Sequence, residues 1–311
     1  MNGLELSEKF YIQWGAPMIH EQFPHIENIA AAGLCGSGSE CFGYDDSISR
    51  DHDFQPGFCI FLPDDTDDKT LFELNKAYSR LPREFMGYER TVNTPVGGNR
   101  HGAFRISDFF IGKVGTPDGN MDLKDWFFIP EQSLSEAVNG KIFRDDPGEL
   151  TAVRKRLSYL PEDVRLKKIG GNLLVMGQAG QYNYNRCVLR GDTAAAQLSM
   201  TEFVKSALNV IFLLNKKYVP YYKWTFRALK DLPLLSSLYG DLEYLLSSPN
   251  DGENSSRKAE IAESVCAEIF AQLREQSITK YGGTEAEGHA YSVNDHIRDN
   301  DIRNLHVLYG V

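Results

Sequence analysis

Between Gly36 and Asp53 the chain reads Gly-Ser-Gly-Ser-Glu-Cys-Phe-Gly-Tyr-Asp-Asp-Ser-Ile-Ser-Arg-Asp-His-Asp, and few local conformations satisfy that string. Two Gly-Ser pairs in succession favour a tight turn whose backbone N–H groups, with a serine hydroxyl, can hold phosphates. Asp51 and Asp53 stand two positions apart. In a strand they share one face, with His52 on the other. Their backbone positions then lie about 6–7 Å apart. Two carboxylates at that separation repel by about 2–3 kcal/mol at an effective dielectric near 20. A divalent cation between them removes that cost. Mg²⁺, or Mn²⁺ in its place, suits the position, because Mg²⁺ takes one or two protein carboxylates together with substrate phosphates.

Other glycine-loop chemistries fit the string less well. A dinucleotide fingerprint needs a third glycine where Cys41 stands. A phosphate loop of the Gly-Lys-Ser/Thr kind fails because Tyr44 and Asp45 follow Gly43. No Gly-x-Ser-x-Gly nucleophile elbow occurs, and the histidines and cysteines show no zinc spacing.

The arrangement resembles the DNA polymerase beta-like nucleotidyltransferase superfamily, whose signature is Gly-Ser or Gly-Gly, a gap of residues, then Asp-x-Asp or Asp-x-Glu. Gly38-Ser39 leaves residues 40–50 as the gap, with Gly43 where a second glycine often stands. Gly36-Ser37 leaves a longer gap. The first register is preferred and both stay open. The string ending Ser-Arg-Asp-His-Asp, and the later run Tyr218-Val-Pro-Tyr-Tyr-Lys-Trp224, are similar to an uncharacterised bacterial branch, domain-of-unknown-function family 4037. The resemblance implies an enzyme in which Asp51 and Asp53 hold the metal and a nucleoside triphosphate is the substrate. Gly36, Ser37, Gly38 and Ser39 would bind its outer phosphates. A third acid would act as base or complete a second metal site. Asp108 is the nearest candidate, with Glu89 behind it, although Arg105 occupies the position where an acid is expected. Asp108 equally suits the start of a helix, since Phe109-Phe110-Ile111 follows it. Related enzymes use a lysine of the helical domain to reach the triphosphate, and Lys223 is the candidate here. Its competing role is a solvent-facing side chain lying along Tyr221, Tyr222 and Trp224.

The length of 311 residues allows two domains, and 42% hydrophobic with 24% charged residues is the balance of a globular chain. No apolar run reaches the length of a membrane span. The first residues lack the basic start and apolar core of a signal peptide, and five cysteines without a Cys-x-x-Cys pair read as reduced thiols. A cytoplasmic location is therefore expected. The formal charge of −10 argues against a long nucleic-acid partner, which binds through Lys and Arg. It favours a small acceptor.

Hydrophobic periodicity predicts a helix over 6–22, a strand over 26–34 feeding the turn, and a strand from Asp51 to Leu62 bent at Pro56-Gly57. Asp64–Asp68 should cap a helix over 68–81, and His101 to Phe110 reads as a third strand. Beyond residue 120 the pattern turns helical. A short strand is expected at 141–144, a long helix over 192–217 capped by Asp192 or Thr193, another opening at Asn254, and a last one over 288–308. The expectation is an α+β protein. The resemblance implies that a small mixed-sheet nucleotidyltransferase-like domain (1–145) precedes a mostly helical bundle (146–311) that closes the cleft. Its expected activity is metal-dependent transfer of a nucleoside monophosphate, AMP above all, to a hydroxyl of a small molecule or protein. The alternative is an inactive nucleotide-binding sensor on the same fold.

Overall fold

The computed structural model describes residues 1–48, 54–90 and 100–311. The metal candidates Asp51 and Asp53, with His52, lie outside the described residues. The architecture is α+β, a small mixed sheet and many helices. The chain forms two compact units, residues 1–121 with 133–158, and residues 122–132 with 159–311.

The first unit opens with α1 (Gly3–Phe10). Asn2 caps it reciprocally, accepting from the Glu5 N–H at 2.9 Å while the Asn2 N–H reaches the Glu5 carboxylate at 3.2 Å. The helix continues through a π-helical turn at Tyr11–Gly15 into α2 (Ala16–Gln22). Gly15 is needed there because a Cβ would overlap the Phe58 ring. The expected strand over 26–34 is shorter than predicted. The Ile29 and Ala30 N–H groups bond back to the Ile26 carbonyl, so a turn precedes β1 (Ala31–Leu34).

Next come β2 (Cys59–Leu62), which starts only beyond Gly57, and α3 (Asp68–Ser79). Asp67 caps α3 by accepting from the Thr70 N–H. A two-stranded hairpin follows, β3 (Glu84–Phe85) with β4 (Tyr88–Glu89). Then β5 (Gly102–Arg105) leads directly into α4 (Ile106–Val114). The predicted third strand therefore ends at Arg105. Asp64 accepts from the Ser107 N–H at 2.9 Å, satisfying a free donor of the first helical turn. Past α5 (Glu131–Val138), β6 (Lys141–Asp145) and α6 (Glu149–Arg156) complete this part of the chain.

The main sheet has the order β5-β2-β1-β6, with β2 and β5 parallel and β1 antiparallel to both β2 and β6. Alternation divides β2 between two faces. Ile60 and Leu62 join Leu6, Phe10, Leu74 and Tyr78 in one core. Phe61 packs edge-on against Phe109 of α4. Because β6 pairs with β1 and α6 follows it, the first unit runs to residue 158, and the expected boundary at 145 falls inside it.

The second unit is helical. Its α7 (Glu162–Met176) passes through a π-helical stretch, Gly177–Asn183, into α8 (Tyr184–Leu189). The central α9 (Thr193–Leu214) is capped by Asp192, whose side chain accepts from the Ala195 N–H. On it pack α10 (Tyr222–Lys230), α11 (Tyr239–Ser247) and α12 (Gly252–Glu275), while α13 (Ala286–Asn294) and α14 (Asn300–Asn304) lie against α7. The predicted helix over 288–308 is thus broken in two. Asp163 accepts from the Arg298 and Asp299 N–H groups, and the buried Lys167 ammonium holds Asn294 Oδ1 and the Arg303 and Leu305 carbonyls. Among the described residues, no helix is long and apolar enough to cross a membrane.

Candidate functional site

The end of β1 and the start of α4 enclose a cleft of about 260 Å³ in the first unit. Gly36, Ser37, Arg100, Asp108 and Lys113 line it, with Phe104 and Phe109 as apolar walls. Of the residues predicted from sequence, Gly36, Ser37 and Asp108 are thus brought together.

The turn is shaped by glycine. Gly36 and Gly38 have φ of +108° and +121°, and Gly43 (φ +69°) ends the short 3₁₀ helix Glu40–Phe42. L-residues avoid such values. Gly36 is held on both sides by Asn139, which accepts from its N–H at 2.8 Å and donates to its carbonyl at 2.8 Å. Gly140 packs behind, where a Cβ would overlap the Leu34 carbonyl. The carbonyls of Ala137, Val138 and Asn139 in turn accept from the Arg154 guanidinium.

Ser37 presents its hydroxyl to the cleft. It donates to Glu136 Oε2 at 2.7 Å and accepts from Lys113 Nζ at 2.7 Å, and Lys113 is 2.5 Å from the same carboxylate oxygen. Arg100 bonds the Ser37 carbonyl and pairs with Glu40 Oε1 at 2.5 Å. Gly38 has no room for a side chain because that ion pair lies against it. Ser39 serves the backbone, its carbonyl accepting from Phe42 and Tyr44, and it is not among the cleft residues. The hydroxyl in the cleft thus belongs to the Gly36-Ser37 register, the one not preferred from sequence.

Asp108 sits in the first turn of α4, with Arg105 Nη1 3.8 Å from its carboxylate. Arg105 closes β5, donates to the Thr66 carbonyl and pairs with Asp68. Its pKa is raised, chiefly by the hydrogen bond to Asp68. Glu89 faces Glu84 across the hairpin. In the loop before residue 49, Asp46 bonds the Ile48 N–H and Asp45 bonds the Gly3 N–H, side-chain-to-backbone uses expected of loop aspartates.

Two buried thiols, Cys35 and Cys59, back the cleft. Burial pushes Cys35 up to about 11 and raises Cys59 and Cys41 well above the ordinary thiol range. All three are therefore protonated near neutrality and unsuited to thiolate chemistry. Lys223 belongs to the second unit. It is exposed in the first turn of α10, its ammonium 5.0 Å from the Trp224 ring centre and 5.9 Å from that of Tyr221.

Arg100, Lys113, Glu136 and Asn139 were not singled out from sequence. The only local signal is Asn139-Gly140, a helix-stop pair. At about 260 Å³ the cleft is smaller than the roughly 300 Å³ at which pockets for drug-sized ligands begin. Among curated proteins and among solved structures nothing matches this chain. Residues 126–225, which include Glu136, Asn139, Arg154 and Lys223, are similar to a known family, described as Domain of unknown function (DUF4037).

Proposed function

We propose that the protein is a metal-dependent nucleotidyltransferase that moves a nucleoside monophosphate, AMP above all, from a nucleoside triphosphate to a hydroxyl of a small molecule or protein. The observation that carries this reading is the cleft itself. A turn with two glycines at positive φ, the Ser37 hydroxyl, two cations and the Asp108 carboxylate meet in one small concavity. Donors on the turn and cations beside it are the parts that position phosphates.

A hard divalent ion needs oxygen donors. Asp108 and Ser37 supply oxygen, the buried thiols are protonated, and no group of three or more His, Cys, Asp or Glu among the described residues could hold a metal. By the resemblance, Mg²⁺ would rest on Asp51 and Asp53, which lie outside the described residues, with Asp108 as the third acid. When bound it would neutralise phosphate charge and align the attacking hydroxyl. Arg100 and Lys113 would take the outer phosphates, Ser37 would orient them, and Asp108 would accept the proton of the acceptor hydroxyl. Lys223 is assigned to the triphosphate by resemblance alone.

The test is release of pyrophosphate from nucleoside triphosphates across a panel of hydroxyl acceptors. Asp51→Asn with Asp53→Asn should abolish it; undiminished turnover by that double variant would end the reading. A second reading, an inactive nucleotide sensor, is favoured by Arg105, a cation tied to Asp68 where the strand was expected to carry an acid. It predicts a thermal shift with nucleotide and Mg²⁺ and no product with any acceptor.

A further inference from the structure

Both cations of the cleft are already engaged by carboxylates. Arg100 is 2.5 Å from Glu40 and Lys113 is 2.5 Å from Glu136. Asp108, which also lines the cleft, has Arg105 Nη1 3.8 Å from its carboxylate, so each of these three carboxylates has a cation beside it. Neither cation lining the cleft among the described residues is left over for a bare polyphosphate. Ser37 adds to the mismatch. Its single hydroxyl proton points to Glu136, so toward the cleft it offers an acceptor rather than a donor.

The two carboxylates differ in how they are built in. Glu40 is 6% exposed and fixed beneath the turn, against Gly38 and Gly3. Glu136 stands on α5 and meets Lys113 and Ser37 at once through one oxygen. It is therefore the carboxylate whose contacts a phosphate oxygen would replace one for one: the Lys113 ammonium and the Ser37 proton are both donors, and both now end on Glu136.

We infer that Glu136 is a specificity-determining residue of the cleft, a built-in counter-anion that excludes uncomplexed phosphates and yields only to a polyphosphate whose charge a divalent cation has partly cancelled. This rests on the nucleotidyltransferase reading, and it deepens it by naming the form in which the triphosphate is selected. The free chain keeps Lys113 and Ser37 paired with each other through Glu136. An incoming metal-complexed phosphate takes both donors, and Glu136 turns away. A free anion gains the same two donors but must approach a carboxylate with its own charge undiminished.

The experiment uses the full chain and inorganic pyrophosphate as probe, with calorimetry in the absence and presence of Mg²⁺. Wild-type protein should take up pyrophosphate weakly without Mg²⁺ and clearly more tightly with it. Glu136→Gln keeps the size and the hydrogen-bond acceptor but removes the charge. It should bind metal-free pyrophosphate at least about fourfold more tightly than wild type, the scale expected per unit charge of the anion when one unit charge about 5 Å away is removed at near-aqueous dielectric. Adding Lys113→Gln to that variant should cancel the gain. Unchanged or weaker metal-free binding by Glu136→Gln, in protein whose circular dichroism matches wild type, would overturn the inference. So would wild-type affinity that is the same with and without Mg²⁺, a result that needs no variant. Loss of the broader reading looks different: no magnesium-dependent binding of any nucleoside triphosphate and no pyrophosphate release, whatever stands at 136.

Discussion

Alanine at each of the three glycines of the turn should give a graded cost, because the three meet different surroundings. Gly43 has φ +69° and nothing within 4 Å of where a methyl would stand, so Gly43→Ala carries only the left-handed backbone penalty, about 1 kcal/mol. Gly36 has φ +108° and its nearest neighbour, the Phe109 ring, at 3.6 Å. Space is adequate and the cost is backbone strain of about 1–3 kcal/mol. Gly38 combines both problems. Its φ is +121°, and a methyl would overlap Arg100 Nη2 and stand 2.5 Å from Glu40 Oε1. Arg100 can move, but it then gives up its pairing with Glu40, whose side chain is 7% exposed. Breaking a buried pair costs about 3–5 kcal/mol, and the lower end applies because the Arg100 side chain is 20% exposed. Gly38→Ala should therefore cost about 4 kcal/mol in all once strain is added. Hydrogen exchange of peptides covering β1 and β2 reads this unit without assuming that both units unfold together. The expected order of destabilisation is Gly43, Gly36, Gly38. Gly38→Ala costing no more than Gly43→Ala would refute the claim that the Arg100–Glu40 pair dictates glycine at 38.

Asn139→Ala removes both partners of the Gly36 backbone and should cost about 2–4 kcal/mol, seen as faster exchange at residues 34–38 and as weaker pyrophosphate binding. Burial pushes His101 down to about 3, so it is neutral in the fold and titrates near 6.5 when unfolded. Between those values the unfolded chain holds the extra proton. Stability of the first unit should then fall with acidification below 6.5 by up to about 1.4 kcal/mol per pH unit; His101→Gln should flatten that slope in urea titrations at stepped pH. Lys167→Met leaves the Arg303 and Leu305 carbonyls and Asn294 Oδ1 short of a donor. It should cost about 2–3 kcal/mol and speed exchange over residues 295–311.

Where structure is decided locally, the residues announced it. Asp67 and Asp192 cap α3 and α9 as their positions suggested, and the apolar stripe of α9 is buried from Phe203 to Leu214, whereas Leu198, expected in the same stripe, is exposed. The Gly-Ser turn was legible because positive φ demands glycine. The passage from β5 to α4 was not. His-Gly-Ala-Phe-Arg-Ile-Ser-Asp-Phe-Phe fits either period, and what selects a helix after Arg105 is a cap from Asp64, far away in sequence. The cleft was half legible for the same reason. Gly36, Ser37 and Asp108 carry signals in their own neighbourhoods. Lys113, Glu136 and Asn139 acquire their roles only when α4 and the segment after α5 are brought to the end of β1, and a hydrophobic period contains nothing about that pairing.

That pairing also bears on which part of the chain is similar to a family. The match over 126–225 begins well after the glycine turn, which at first separates it from the cleft. Yet β6 returns to pair with β1, and this carries α5 and the Asn139-Gly140 stop against the end of β1. Arg154, also within the match, ties down the carbonyls on either side. The matched stretch thus supplies the wall that holds Gly36 in its left-handed conformation and the carboxylate that faces Ser37 and Lys113. A turn of Gly-Ser-Gly-Ser alone loses about 1–2 kcal/mol of backbone entropy per ordered residue and has no apolar side chain of its own to offset that. Its shape must come from outside, and here it comes from residues 136–154. The cleft is therefore one physical unit built from two distant stretches, and a variant in either one should be read at the same place, the turn at Ser37.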